Sequence, residues 1–201
     1  MDLLRRGAVV LACAAVVVLV PAVPAQAHPA GVQATVDYRT RVTTITPAVA
    51  GVRARYVADG SRLELRNDSR RTIEVVGYQG EPMLQVRPDE VWRNTRAPSL
   101  YVDRLGVLVN PAADAHATPQ WQRISNVPLA RWQDHRAWWH GSPPPPVQAD
   151  PHRVHRLSNW RVPVRDGAAT VQITGTLDWM PPPDPNAWWT AVLPTPANRR
   201  R

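Results

Sequence analysis

The chain has 201 residues, with 24 basic and 16 acidic side chains and a formal net charge of +8. It contains no lysine and no phenylalanine, so every basic side chain counted is an arginine. A hydrophobic fraction of 44% excludes a wholly disordered chain, and 22 prolines argue against a helix bundle. Because the lack of Lys and Phe indicates GC-rich codon bias, we interpret the arginine and tryptophan counts as mainly compositional.

The N-terminal segment 1–27 has the pattern of a secretory signal peptide. Two arginines precede an apolar run over 7–20, and an Ala-x-Ala cleavage site ends at Ala27. The apolar run is shorter than the roughly 20 residues that a membrane-spanning helix needs. The pattern therefore predicts export across the cytoplasmic membrane and cleavage that leaves His28 as the first mature residue.

Cleavage at this site changes which chemistry is open to the mature chain. Cys13 lies inside the predicted signal peptide, so disulfides, thiol catalysis and cysteine-bound zinc are excluded. The mature chain keeps 22 arginines against 15 acids, a net charge of +7. Outside the membrane, this charge favours an envelope component as partner, namely an anionic wall polymer, a lipid surface or a protein, and argues against nucleic acid.

Short segments with period-two patterning predict β-strands along most of the mature chain. Asp-Gly pairs at 59–60 and 166–167 indicate hairpin turns. Together they predict an all-β fold, an antiparallel immunoglobulin-like β-sandwich with long loops, in a domain over 28–183. The predicted strands are Tyr38–Ile45, Val52–Val57, Leu63–Arg66, Thr72–Val76, Met83–Val86, Val91–Arg93, Trp160–Val164 and Thr170–Leu177.

Two internal regions do not fit the strand pattern. Asn94–Gln120 is predicted to be a long irregular connection, or to contain an unrecognised strand such as Val107–Val109. Ser142–Asp150 includes four consecutive prolines and is predicted to be a stiff, extended connector.

The C-terminal tail over 184–201 is rich in proline and arginine. We expect it to be extended, with Trp188 and Trp189 either packing on the sandwich or stacking on sugars. Since this part of the sequence has no long apolar segment, we predict no C-terminal transmembrane helix.

Four motifs occur in a fixed order along the chain: Tyr38–Val42, Gly77–Pro82, Trp132–Arg136 and Gly175–Pro183. This series resembles a family of uncharacterised exported proteins of high-GC Gram-positive bacteria, and the resemblance covers nearly the whole mature chain. It implies a β-rich extracytoplasmic envelope domain, often followed by one membrane span near the C-terminus. In this chain no apolar segment of that length follows the last motif.

The third motif also departs from the family pattern. Members often read Trp-His-Asp-His-Arg-x-His-Trp-Met at this place. Here Gln133, Trp138 and His140 stand where the first His, the last His and the Met are usual. If the motif binds a metal in other members, this copy lacks some of the candidate ligands.

The segment Arg131–His140 is the densest polar and aromatic stretch of the chain. Written as a strand, it places Trp132, Asp134 and Arg136 on one face and His135 on the other. In a functional interpretation, Asp134 orients His135 as a base or a ligand. In the structural interpretation, which we favour, Asp134 pairs with an arginine while the tryptophans enter the core.

A copper site at the mature N-terminus is the alternative function. The α-amine and imidazole of His28, with one further histidine, form a donor set that suits copper, and His135 is the partner we select. Pro29 weakens the hypothesis because it lacks the amide that usually helps such termini. The other candidate partners are His116, His140, His152 and His155.

Glu81 is a further candidate functional residue, at the end of the turn Gly77–Pro82. We expect it to accept hydrogen bonds within the turn or from arginine rather than to perform acid–base chemistry. Since no complete catalytic set is recognisable, the sequence predicts a non-enzymatic binding or scaffold module of the cell envelope.

Overall fold

The computed structural model describes residues 38–57, 61–103 and 106–182. The predicted signal peptide, His28, the tail over 184–201 and both Trp188 and Trp189 lie outside the described residues. The described strands are β1 (Tyr38–Thr46), β2 (Val52–Val57), β3 (Arg62–Asn67), β4 (Ile73–Val76), β5 (Pro82–Val86), β6 (Val91–Asn94), β7 (Trp121–Ser125), β8 (Leu129–Trp132), β9 (His155–Asp166) and β10 (Ala169–Trp179).

These strands form two antiparallel sheets with a core between them. The larger sheet has the order β1-β10-β9-β4-β5-β6-β7, and the smaller has the order β2-β3-β8. The core cluster contains buried residues from both sheets. The predicted all-β antiparallel sandwich is confirmed, and the immunoglobulin-like detail stays a prediction.

Alternation along the strands explains why the core forms between the sheets. Leu63 and Leu65 of β3 are fully buried, as are Val162 and Val164 of β9. Residues two apart on a strand lie on the same face, so each sheet presents one apolar face to the other. Full burial of each such side chain stabilises the fold by about 1.5–3 kcal/mol.

Trp160 supplies large aromatic volume to this phenylalanine-free core. It lies on β9 opposite Gly175 of β10, and it is buried. A Cβ atom at Gly175 would lie 2.1 Å from Trp160 Cζ2 and 2.2 Å from the carbonyl oxygen of Arg41. Glycine is therefore needed at this position because the indole and the neighbouring backbone fill the space of any side chain.

All eight predicted strands are present, with boundary differences at the ends. Two strands were not predicted, β7 and β8. The mostly exposed β7 reads Trp-Gln-Arg-Ile-Ser, which lacks apolar alternation. It lies at the edge of the large sheet and pairs with a neighbouring strand on one side only. Such an edge strand has a weak apolar sequence pattern because it is largely exposed.

The prediction of an extended connector over Ser142–Asp150 is wrong. A short helix, α1 (Pro145–Ala149), begins within the proline run. Proline is tolerated in the first turn of a helix because the N–H groups there have no intrahelical acceptor. The N–H groups of Val147 and Gln148 donate to Pro144 O at 2.9 and 3.0 Å, and Val147 is buried.

The interpretation of Arg131–His140 as one strand is also wrong. Strand β8 ends at Trp132, and residues His135–Ala137 form a 3₁₀ turn. Asp134 caps this turn, since its side chain accepts a hydrogen bond from the N–H of Arg136. Such local side-chain bonds compete with strand pairing and end the strand.

The connection after β6 is irregular, as expected, with a 3₁₀ turn at Pro98–Leu100 and an isolated bridge between Val102 and Leu108. Among the residues described there, the alternative strand Val107–Val109 is not formed beyond this bridge. Buried Asn94 closes the loop, because its Oδ1 accepts hydrogen bonds from the N–H groups of Arg96 and Gln120. Across the described ranges, no helix has the length and apolarity needed to cross a membrane.

Candidate functional site

Asp134 organises the segment that follows β8. Its buried carboxylate accepts two hydrogen bonds of 2.8 Å from the side chain of Arg136 and one of 3.0 Å from Trp132 Nε1. Trp132 belongs to the core cluster. These contacts agree with the structural interpretation of the motif, in which a charge-assisted pair holds the segment.

Around this pair the structure brings together His135, His140, Tyr78 and Trp138. The two imidazole rings stack with centroids 4.3 Å apart and an interplanar angle of 14°. Tyr78 meets His135 edge-on at 5.9 Å, and Trp138 lies 5.2 Å from His140. The backbone N–H of His135 donates to the Tyr78 hydroxyl at 3.0 Å.

The surroundings of His135 disfavour its charged form. Burial lowers the pKa of His135, the neighbouring His140 lowers it further, and Asp134 and Asp103 act in the opposite direction. The result is a neutral imidazole at neutral pH, because burial costs the charged form its hydration.

We expect the free energy of unfolding to fall as the pH decreases from 7.5 towards 5. Below about 6.5, the ordinary pKa of histidine, the unfolded chain takes up a proton that folded His135 does not. His135→Gln should therefore show a shallower loss of stability than the wild type in urea unfolding across this range. The exposed His152→Gln is the control, and equal slopes for wild type and His135→Gln would contradict the expectation.

The predicted copper site cannot be assembled from described residues, since His28 lies outside them. Within the described ranges, no three His, Cys, Asp or Glu side chains are grouped to hold a metal ion. Imidazole lone pairs lie in the ring plane, so the nearly parallel rings of His135 and His140 do not converge on one ion. The pairing of His135 with His28 stays a prediction.

Glu81 lies in the turn that the sequence predicts, and it is buried. Its carboxylate accepts hydrogen bonds from the Ser99 hydroxyl at 2.5 Å and from the Gln79 N–H at 3.0 Å. A Cβ at Gly77 would lie 2.1 Å from Glu81 Oε1, so glycine there leaves room for the carboxylate. The carboxylate therefore joins the turn at 77–81 to Ser99.

A second feature lies on the outer side of the small sheet. Alternation places Leu63, Leu65 and Ala130 towards the core, so the intervening residues point away from it. Five of these outward residues are exposed arginines. We call this set the arginine face: Arg53 and Arg55 of β2, Arg62 and Arg66 of β3, and Arg131 of β8.

Two acidic residues hold four of these arginines. Asp68 accepts hydrogen bonds from Arg53 at 2.5 Å and from Arg66 at 2.8 Å, and these two arginines are direct cross-strand partners. Like charges placed opposite each other destabilise a sheet, and the shared carboxylate offsets this repulsion. The hydrogen bond from Arg53 is the main cause that lowers the pKa of Asp68.

Glu64, two residues before Arg66 on β3, has the same role for Arg55 and Arg131. It is buried between Arg55 and Arg131, whose Nε atoms donate to its two oxygens at 2.6 and 2.7 Å. The hydrogen bond from Arg55 lowers the pKa of Glu64 most, while burial acts against it. Each acid thus holds two guanidinium groups, each through a single nitrogen atom, so the other N–H groups of each arginine are not used by that acid. The five arginines together with Asp68 and Glu64 carry a net charge of +3.

A groove of about 900 Å³ runs along the arginine face. One wall is β1 at Val42–Ile45 together with Ala48 and Val49, and four of the arginines line it as well. Its described lining includes no aromatic side chain and only one acid, Glu64. An apolar wall beside fixed cations suits a ligand that carries both methylene groups and anions.

A signal for this face is present in the sequence, but codon bias hides it within a high arginine count. Arginines two residues apart at 53 and 55, and at 62 and 66 around Glu64, are what a strand with one basic face requires. The pairing of β3 with β8 brings in Arg131 from 65 residues later than Arg66. No local pattern could show that contribution.

Comparison of the chain with protein-family models, with curated proteins and with solved structures finds no match. Its function is therefore inferred from the arginine face, the groove and the cluster around Asp134.

Proposed function

We propose that this chain is an exported module that binds a linear polyanion of the cell envelope along the arginine face. The observation that carries the proposal is the arginine face itself, five exposed arginines on one small sheet with two acids that fix four of them. Guanidinium groups held in place lose little conformational entropy when they bind phosphate or carboxylate.

The spacing of the cations suits a polymer with regularly repeated anions. Residues two apart on a strand lie about 6.7 Å apart, and neighbouring strands lie about 4.8 Å apart. Arg62 and Arg66 are thus separated by about 13 Å along β3. A chain laid along β3 meets cations on both sides, from Arg55 of β2 and from Arg131 of β8.

The concave shape favours a chain over a membrane surface. The groove is lined by residues of β1 as well as by arginines, and Val42 and Ile45 are among its apolar residues. A narrow polymer can lie in this groove and contact the apolar residues and the arginines together. The absence of aromatic side chains from the described lining also disfavours single-stranded nucleic acid, which proteins bind by stacking its bases.

The direct test is retention of the purified chain on immobilised poly(glycerol phosphate), a linear phosphate polymer. We expect saturable binding that weakens about tenfold or more between 50 and 200 mM salt, since several phosphate contacts release counterions. Neutral dextran is the control matrix and should retain nothing. Binding to phosphatidylglycerol vesicles in preference to the polymer, or no binding to either, would overturn the proposal.

A further inference from the structure

A second cavity lies at one end of the arginine face. It has a volume of about 410 Å³, within the range of small-molecule sites, roughly 300–1,000 Å³. Arg62 and Arg131 of the arginine face both line it. Since Arg131 also lines the groove, the two cavities meet at this side chain, and we call the second one the end pocket.

The end pocket combines cations with neutral hydrogen-bonding groups. Besides the two arginines, Gln133, His135 and Tyr78 line it, and its described lining contains no carboxylate. Arg131 gives only its Nε–H to Glu64, so its terminal N–H groups are not used by that acid. The lining can therefore bind one anion and several hydroxyl groups together.

Tyr78 and His135 keep the protonation states that such binding needs. Burial raises the pKa of Tyr78 to about 12, so the phenol retains its proton. The phenol oxygen accepts the N–H of His135 at 3.0 Å, and it can offer its own proton to a ligand hydroxyl. Burial lowers the pKa of His135, which leaves a neutral imidazole beside it.

The walls of the end pocket are held by the two clusters described above. The guanidinium carbon of Arg136 lies 4.9 Å from the ring centroid of Tyr78, and Asp134 fixes that guanidinium. The backbone N–H of Tyr78 donates to Ser99 Oγ at 2.7 Å, and Ser99 donates in turn to Glu81. Asp134 and Glu81 thus hold the walls of this pocket through Arg136, Tyr78 and Ser99.

We infer that the end pocket binds a single anionic monosaccharide unit carried at the end of the envelope polyanion that occupies the groove; poly(glycerol phosphate) represents the phosphate backbone of such a polymer, and glucose 1-phosphate represents the terminal unit. This inference rests on the proposed function, because the polymer supplies the unit. Arg62 and Arg131 would bind the anionic group, while Gln133, His135 and Tyr78 would bind ring hydroxyls. Tyr78 and Trp132 give the pocket the aromatic surface against which sugar rings pack.

The test is a titration of the purified chain with glucose 1-phosphate, monitored by calorimetry. We expect saturable binding, with glucose and inorganic phosphate each binding at least tenfold more weakly. Glucose has no anion for the two arginines, and inorganic phosphate has no sugar ring hydroxyls for the neutral hydrogen-bonding groups. Arg62→Gln and Gln133→Ala should each weaken glucose 1-phosphate binding about tenfold. Arg93→Gln is the matched control, since Arg93 is exposed on β6 and lines neither the groove nor the end pocket.

Three results would overturn the inference. The first is equal binding of inorganic phosphate and glucose 1-phosphate, which would identify a simple anion site. The second is an equal loss of glucose 1-phosphate binding in Arg93→Gln and Arg62→Gln. The third is retention of the chain on poly(glycerol phosphate) without any binding of glucose 1-phosphate. If the polymer fails to bind while glucose 1-phosphate binds normally, the proposed function is wrong and the ligand class of the end pocket stands.

Discussion

Replacing Arg53 and Arg66 together with glutamine weakens binding of poly(glycerol phosphate) at least a hundredfold. Both arginines line the groove, and both are exposed. A charge-assisted hydrogen bond contributes roughly 1.5 kcal/mol or more, so the loss of two such bonds corresponds to about 3 kcal/mol. The measurement is the affinity for the immobilised polymer at fixed salt, together with its salt dependence.

We expect the fold to remain intact without Arg53 and Arg66, because both side chains are exposed. Their shared acid, Asp68, is exposed and loses no buried partner. Removing Arg55 or Arg131 would instead take one of its two partners from buried Glu64, and removing both would leave it with an unpaired buried charge. The salt slope should become shallower in the double variant, because fewer counterions are released.

A matched charge change elsewhere is the control. Arg93 and Arg123 are exposed on β6 and β7, the last two strands of the large sheet at the edge away from β1. Arg93→Gln with Arg123→Gln removes the same two charges and should change polymer affinity less than threefold. Equal weakening in both double variants would mean that net charge alone attracts the polymer, and it would contradict a specific arginine face.

Replacing Asp134 with alanine lowers the free energy of unfolding by about 3–5 kcal/mol, the usual cost of breaking a buried ion pair. The side chains of Asp134 and Arg136 are 1% and 23% exposed, so water replaces the lost partner poorly. Trp132 Nε1 loses its acceptor as well. Since ordinary domains are stable by about 5–15 kcal/mol, the variant should fold but unfold at much lower urea.

Urea unfolding followed by tryptophan fluorescence measures this loss. The control is Asp150→Ala, which breaks an exposed pair with Arg153 and should change stability by less than about 1 kcal/mol. Adding Arg136→Met to Asp134→Ala should restore part of the loss, because the partly buried, unpaired cation is then removed too. If Asp134→Ala is as stable as Asp150→Ala, the carboxylate does not hold this segment.

Period-two patterning locates eight of the ten described strands, because alternation of apolar residues is a local property. The strands it misses are an edge strand of mostly exposed residues, β7, and the short β8. Two local errors come from side chains that compete with extended backbone. Asp134 caps a turn where a strand is expected, and prolines at 145 and 146 begin a helix.

The sequence indicates Asp134 and Glu81 as candidate residues, but it does not identify their partners. Arg136 is two residues from Asp134, so a local pair is conceivable from the sequence. Ser99 is 18 residues from Glu81, and Tyr78 is 57 from His135. Contacts between residues so far apart in the sequence depend on how strands and loops pack. A local sequence pattern does not predict that packing.

The tertiary structure changes the interpretation of the arginine content more than that of any other sequence feature. By itself, the sequence determined a basic, lysine-free chain with a signal-like start and strand periodicity, because charge counts and alternation are local or summed quantities. Only the tertiary structure decided that five of the 24 arginines share one face, two each from β2 and β3 and one from β8. Cross-strand register places these side chains together, and register is set by pairing between segments far apart in the chain.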